Sequence, residues 1–245
     1  MEFYSIINMY SARFIPIFIR VAIILSFIPF LGARMTPMIV RVGFALAFTL
    51  LLLPVVDVNL DNPVKAIFEA VFIGIAIGLS ARIILGAVEM AAQLISLQMG
   101  LGVAAVFNPQ FGEILSPISL FYTFASMGLF FILDMHHYFI EGIVRSFDVG
   151  KIQYNTMYSG IMGLNHILFP LAFKIAAPVL LVQIMVNLAM GFLSRAIPQA
   201  NIFFVSMPLL IILGLIFMML SLPLTFMIIS KAFLNVRDAI MVFTR

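Results

Sequence analysis

The residue types that most often bind metals or move protons lie together at one place in this sequence. Asp134, His136, His137 and Glu141 share one short run. His137 and Glu141 are four positions apart, so a helix would place them on one face. A helical zinc-protease site needs two ligating histidines at that spacing with a carboxylate base, and this run does not match it. We therefore expect a polar helix end near a membrane surface, or a contact with a neighbouring subunit, and neither a catalytic nor a metal site.

Other enzyme chemistry finds no support in the sequence. The chain has no cysteine, which excludes disulfides, thiolate nucleophiles and cysteine-type metal sites. The sequence contains no phosphate-binding glycine loop, no paired carboxylates and no Ser/His/Asp set outside apolar runs. We expect a protein that is not an enzyme and that needs no cofactor.

Three charged residues lie inside apolar segments, and enzyme chemistry does not explain them. Lys174 lies in an apolar run between Pro170 and Pro178, and Arg82 and Glu89 lie seven positions apart on one helix face. Charges inside a membrane segment are costly and are often functional. We interpret these three residues as buried contacts with other subunits. An alternative is a small-solute secondary transporter, in which the charges would form the binding site and the prolines would mark broken helices.

The helices predicted to carry these residues are apolar enough to lie in a membrane. Of the 245 residues, 64% are hydrophobic and 9% are charged, and the mean hydropathy is +1.22. This composition indicates an all-α polytopic membrane protein rather than a soluble domain. The net charge of +3 comes from scattered basic residues, which gives no reason to expect nucleic-acid binding. We predict a single domain, 1–245, with six long hydrophobic helices at about 14–30, 38–56, 64–97, 118–147, 166–193 and 202–230.

Two further features follow from this layout. The third helix contains Gly74 and Gly78 in a G-x-x-x-G pattern, which we expect to serve close helix packing within this chain. A soluble-looking loop is predicted at 148–165, and a polar tail at 231–245.

The central stretch Gln98–Pro117, QMGLGVAAVFNPQFGEILSP, differs from the helices on either side. Its glycines and prolines break regular helix. Lipid cannot satisfy free backbone groups, so this stretch must lie in water, be buried in protein or line a cavity. We interpret it as lining a conduit.

Several stretches resemble one known family. They are FLGARMTPMIVRVGFALAF (30–48), QMGLG (98–102) with the following Phe107-Asn108-Pro109, AAPVLL (176–181) and GFLSRAIPQANIFFVSMPLLIILG (191–214). In order and spacing they resemble the FliR family of flagellar biosynthesis, with its SctT-type counterpart in virulence secretion, almost from end to end. The family usually has Asp before the proline of the central motif. Asn108 departs from that pattern, but Asn and Asp both suit turns.

The resemblance implies a core subunit of the export gate of type III secretion systems. One copy would assemble with FliP-like and FliQ-like subunits into a pore in the bacterial inner membrane, within the flagellar basal body, and an FlhB-like protein would associate with it. Unfolded export substrates would pass through this pore. Residues 1–165 would form a FliP-like portion and 166–230 a FliQ-like helical hairpin. An injectisome of the virulence type is the alternative system.

By the same resemblance, the loop 98–117 would plug the closed pore. The residues assigned to plug and gate are Gln98, Met99, Gly100, Gly102, Phe107, Asn108, Pro109, Phe111 and Gly112. Within this set the apolar Met99, Phe107 and Phe111 would form the seal, and the glycines would act as hinges. Methionine is unbranched and adaptable, which suits a deformable seal.

The orientation of the helices is left open by two opposed indications. Lys and Arg are more frequent in the segments that would share a side with the termini, which favours cytoplasmic termini. The resemblance implies the opposite orientation. We favour the resemblance, because the charge rule assumes helices inserted individually across lipid.

Overall fold

The described part of the chain folds into seven α-helices. The computed structural model describes residues 2–28, 36–58, 62–101, 116–148, 154–197 and 201–243. The helices are α1 (Glu2–Phe27), α2 (Met38–Leu52), α3 (Pro63–Gln98), α4 (Pro117–Ile132), α5 (Met135–Asp148), α6 (Tyr154–Ala196) and α7 (Ile202–Phe243). The all-α class is therefore confirmed.

The prediction of six long hydrophobic helices is wrong in number and length. Among the described residues, three helices are long and apolar enough to cross a membrane: Pro63–Gln98, His166–Ala196 and Phe204–Asp238. The pair α4 and α5 adds a fourth span only if the two helices are taken together, and α2 is a shorter apolar helix. The coarser conclusion, an α-helical membrane protein, stands.

The predicted continuous helix 118–147 is broken in the structure. Asp134 has a φ of 53°, which lies in the left-handed region that stops a right-handed helix. The Asp134 N–H donates to the Phe131 carbonyl at 3.1 Å, and the His137 N–H donates to the Asp134 carbonyl at 3.0 Å. These two tight turns end α4 and start α5, and the two helices are bent by 65°.

Helices α6 and α7 extend beyond their predicted ends. The predicted loop 148–165 is helical from Tyr154, because apolar residues there recur at the helical spacing of Met157, Ile161, Leu164 and Leu168. The predicted polar tail from 231 belongs to α7. Prolines 170, 178, 208 and 223 lie inside these helices and do not end them.

The chain divides into two compact units that alternate along the sequence. Unit 1 comprises Met1–Ile83, Phe130–His166 and Phe233–Arg245, and unit 2 comprises Ile84–Leu129 and Ile167–Ala232. Four helices, α3, α4, α6 and α7, each contribute to both units.

Unit 1 has a core built from helices that are far apart in sequence. Phe130 packs against Phe139 and Phe233, with ring centroids 5.7 and 5.9 Å apart. Phe233 and Ile240, both in the segment expected to be a polar tail, are completely buried. This burial explains why the helix continues there: its apolar face has a core to pack against.

Close packing of α3 on α1 depends on the G-x-x-x-G pair. A Cβ at Gly74 would stand 3.1 Å from the Ile23 Cβ, and one at Gly78 would stand 2.6 Å from the Phe27 ring. Larger residues would therefore push the helices apart. The prediction that this motif serves packing within the chain is confirmed.

In unit 2, α6 and α7 bury one side and expose apolar stripes on another. On α6 the exposed stripe consists of Leu181, Met185, Leu188 and Phe192, at spacings of four and three residues. Such a stripe is the surface that lipid or an apolar partner subunit covers.

Candidate functional site

The end of α3 is fixed by a glycine cap. Gly100 has a φ of 77°, a conformation that glycine adopts without a steric penalty. Its N–H donates to the Leu97 carbonyl at 3.0 Å, and the Leu101 N–H donates to the Ser96 carbonyl at 3.1 Å. These are the two hydrogen bonds of a Schellman motif, which satisfies the last carbonyls of a helix. The helix therefore ends at a defined residue, at the start of the central stretch.

The start of α4 is capped as well. The Ser116 Oγ accepts a hydrogen bond from the Ser119 N–H at 3.2 Å, and the Ser116 carbonyl accepts one from the Leu120 N–H at 3.0 Å. Pro117 occupies the first helical position, where its missing N–H costs nothing. The central stretch thus leaves one capped helix and enters another.

Met99 is the residue that fixes the α3 cap to the rest of unit 2. Its side chain is completely buried. A Cβ built at Gly214 of α7 would lie 2.6 Å from the Met99 Cγ and 2.9 Å from its Cε. Only a glycine leaves room for the methionine at this point. About two turns before Gly214 on α7, Met207 lies near Gly100, with its Cε 3.8 Å from a Cβ built there.

Gln183 of α6 completes this arrangement. It is completely buried, and its Nε2 donates to the Leu210 carbonyl of α7 at 2.7 Å. A Cβ at Gly214 would lie 2.5 Å from the same Nε2. The Gln183 Oε1 is buried and has no hydrogen-bond partner among the described residues. We call Gln183, Met207, Leu210 and Gly214 the Met99 seat.

The predicted plug residues divide between those inside and outside the described residues. Gln98 is exposed, Met99 is buried in its seat and Gly100 forms the helix cap. Gly102, Phe107, Asn108, Pro109, Phe111 and Gly112 lie outside the described residues. The structure thus describes the first residues of the predicted plug, Gln98 to Gly100. The role of its apolar residues Phe107 and Phe111 remains a prediction.

The three isolated charges do not all have the same surroundings. Arg82 and Glu89 are half-buried on α3, and each makes polar interactions. Lys174 is exposed on α6 within a membrane-grade span. Their proposed role as subunit contacts stays a prediction.

Arg20 of α1 is a buried charge whose partners the structure identifies. Its Nη1 donates to the Ser146 carbonyl at 2.8 Å and lies 3.0 Å from the Ser146 Oγ. The guanidinium carbon stands 3.8 Å from the centre of the Phe147 ring. A cation over an aromatic face is stabilised by the ring's negative face. Arg20 therefore joins α1 to the end of α5 and serves packing.

His137 and Glu141 lie four residues apart in α5, so they share one helix face as predicted. Glu141 forms an ion pair with Arg145 at 2.5 Å. His137 lies near Asp134, with 3.5 Å between Nδ1 and Oδ1. The helix break at Asp134 produces this arrangement, which spacing alone did not predict.

Sequence reasoning missed Gln183 and Gly214. The signal for Gln183 was a single amide within the apolar run VLLVQIMV, since a buried amide needs a partner. Gly214 gave a weaker signal, because one glycine in a helix has many explanations.

The described residues define a class: an all-α membrane protein in which the end of α3 and the start of α4 are both capped. A profile of the family described as "Bacterial export proteins, family 1" matches residues 11–236. The chain belongs to this family of bacterial export proteins.

Curated relatives agree along most of the sequence. The flagellar biosynthetic protein FliR of Bacillus subtilis is 30% identical over 244 residues, covering 94% of this chain and 93% of that protein. FliR of Pectobacterium carotovorum is 28% identical over 231 residues, covering 90% and 88%. FliR of Aquifex aeolicus is 34% identical over 176 residues, covering 69% and 67%. The resemblance to the FliR family found in the sequence is confirmed.

Proposed function

We propose that this chain is a core membrane subunit of the type III protein export gate of the bacterial flagellum. With FliP-like and FliQ-like subunits it forms a gated pore, through which unfolded flagellar proteins cross the inner membrane at the basal body. Membership of the export family supports an export role, and the flagellar names of the relatives favour the flagellar system over an injectisome.

The observation that carries the gating role is the anchorage of the central stretch. Its first residues are held by the Gly100 cap and by Met99 in its seat, and its end is held by the Ser116 cap. The residues between these caps contain glycine and proline, which break regular helix, and lipid cannot satisfy free backbone groups. We therefore infer that this segment occupies a protein-lined pore, with a capped helix end on either side of it.

The chemistry of such a pore is exclusion rather than catalysis. A conduit for many different unfolded chains gains nothing from specific hydrogen bonds, and adaptable apolar side chains close it best. Phe107 and Phe111 would supply the seal at the tip. Met99, which is buried at the base, would transmit a shift of α6 or α7 to the loop.

The exposed surfaces of unit 2 fit assembly with other apolar subunits. The exposed stripe of α6 is apolar, and Lys174 lies on the same helix. In the complex, Lys174 would meet an acidic or polar group of a partner, because a solitary ammonium in an apolar contact is costly. One copy of this chain per complex, with an FlhB-like protein beside it, completes the proposal.

A deletion in the loop tests the plug. Removing residues 103–113 from the assembled complex should make vesicles that contain it leaky to ions. Replacing the same residues with an equally long Gly/Ser segment tests whether the apolar tip matters beyond length. Unchanged leakage in both variants, with the complex intact, would refute the plug.

Purification tests the assembly. The tagged chain should co-purify with FliP-like and FliQ-like chains, and native mass spectrometry should find one copy of it per complex. A small-solute transporter would instead be stable alone or as a small homo-oligomer. Recovery of a stable monomer that binds a small solute would contradict the proposal that this chain is an export-gate subunit.

A further inference from the structure

A second group of side chains converges at the break between α4 and α5, far in sequence from the loop base. Asp134, His136 and His137 each offer one metal-binding atom, and all three atoms lie within 4.8 Å of one another. Two imidazoles and a carboxylate are a ligand set that suits Zn²⁺. This cluster lies wholly within unit 1.

The helix break explains why a carboxylate lies beside the two histidines. Asp134 precedes α5 in the left-handed conformation, and its carbonyl accepts the first hydrogen bond of that helix from the His137 N–H. Its carboxylate lies beside the first turn of α5, close to the His137 ring.

One pair of atoms already has the separation that a metal requires. Ligand atoms roughly 2.0–2.2 Å from a tetrahedral zinc stand roughly 3.3–3.6 Å from each other. The His137 Nδ1 and the Asp134 Oδ1 are 3.5 Å apart. That distance is long for a hydrogen bond and fits two ligands of one ion.

His136 supplies the independent observation. Its ring lies against that of His137, with 4.1 Å between centroids. Its Nδ1 is shielded from solvent and has no hydrogen-bond partner among the described residues. One ring nitrogen of His136 also lies within 4.8 Å of the ligand atoms of Asp134 and His137, and an ion pair between those two residues does not account for it.

We propose that Asp134, His136 and His137 bind one Zn²⁺ ion with a fourth position open to water. Glu141 is not a ligand, because it is paired with Arg145. The ion connects the break to the first turn of α5 and fixes the bend between α4 and α5. This site is independent of the proposed export function.

The test uses the full-length chain in detergent, together with any subunits that co-purify with it, isolated through a tag without histidines. Co²⁺ serves as the probe, since its visible spectrum reports tetrahedral coordination, and Zn²⁺ is then used to displace it. Wild type should bind one equivalent. His136→Gln and His137→Gln should each weaken binding roughly tenfold or more, because loss of a ligand exceeds the effect of losing a supporting hydrogen bond.

Two further variants keep the result interpretable. Asp134→Asn removes the negatively charged ligand, so metal binding should weaken. Asparagine also tolerates the left-handed backbone at this position, so the fold should stay intact. His166→Gln removes the exposed histidine of α6 and should bind like wild type. Zn²⁺ should raise the melting temperature of wild type and of His166→Gln only. Absence of stoichiometric Co²⁺ binding, or unchanged binding in His136→Gln and His137→Gln, would overturn the proposal.

Discussion

Replacing Gly214 by alanine is the most direct test of the Met99 seat, which holds the first residues of the central stretch. The added methyl carbon would lie 2.5 Å from the Gln183 Nε2, 2.6 Å from the Met99 Cγ and 2.9 Å from its Cε. Side-chain ends can move, but Cγ is close to the backbone and Nε2 is held by its hydrogen bond to Leu210. Gly214→Ala must therefore displace Met99, shift α7 or break that bond.

The size of the effect follows from two opposed contributions. Adding a methylene-sized group to a packed core costs roughly 1–3 kcal/mol. Alanine in place of a helical glycine stabilises by roughly 0.5–1 kcal/mol. Subtracting the gain from the cost leaves a net destabilisation of the seated conformation of roughly 0–2.5 kcal/mol. Its central value of about 1 kcal/mol changes a two-state ratio roughly fivefold.

The measurement is ion flux through vesicles that contain the assembled complex, together with its melting temperature. Gly214→Ala should raise the closed-state leak and lower the melting temperature. Gly191→Ala is the matched control, because a Cβ at this α6 glycine meets nothing within 4 Å. Met99→Ala removes two of the three close contacts but leaves a cavity, so it should cost less melting temperature in the Gly214→Ala background than in wild type. If Gly214→Ala and Gly191→Ala showed the same ion leak and the same melting temperature, the Met99 seat would not be what holds the start of the central stretch.

Three further predictions concern stability, each read from the melting temperature of the purified complex. At the α3 cap, Gly100→Asn should cost less than Gly100→Ala, because asparagine tolerates a positive φ and alanine pays roughly 1–2 kcal/mol there; equal losses would mean that the cap is not formed. Gly78→Ala should destabilise by forcing a helix against an aromatic ring, while Gly86→Ala, where a Cβ meets nothing within 4 Å, should be neutral or stabilising. Arg20→Met should cost more than Ser146→Ala, because charge-assisted hydrogen bonds contribute roughly 1.5–3 kcal/mol and Ser146→Ala leaves the carbonyl bond in place; the reverse order would contradict the role given to Arg20.

Local chemistry made some of the structure predictable. Gly100 and Pro117 are residues whose backbone preferences end and begin helices, so the limits of the central stretch near them follow from sequence. Gly74 and Gly78 predicted close helix packing for a similar reason. In each case a glycine or a proline allows only a few local structures, so its position in the sequence predicts one of them.

Other features depend on partners that are remote in sequence. The run FILDMHH contains no glycine or proline, so nothing in it predicted that Asp134 would adopt a left-handed backbone. The polar end of α7 looked like a tail because its core partners, Phe130 and Phe139, lie some hundred positions earlier. The Met99 seat joins three helices, and only the fold brings Gln183 and Gly214 to one place.

The alternation of the two units has a consequence for biogenesis. The aromatic core of unit 1 includes Phe233, which the ribosome makes long after Phe130 and Phe139. Until α7 emerges, this core stays open and presents apolar rings that chaperones and membrane proteases recognise. Completion of unit 1 is therefore a late event in synthesis, and we expect a chain cut short after Ala232 to leave this aromatic core exposed.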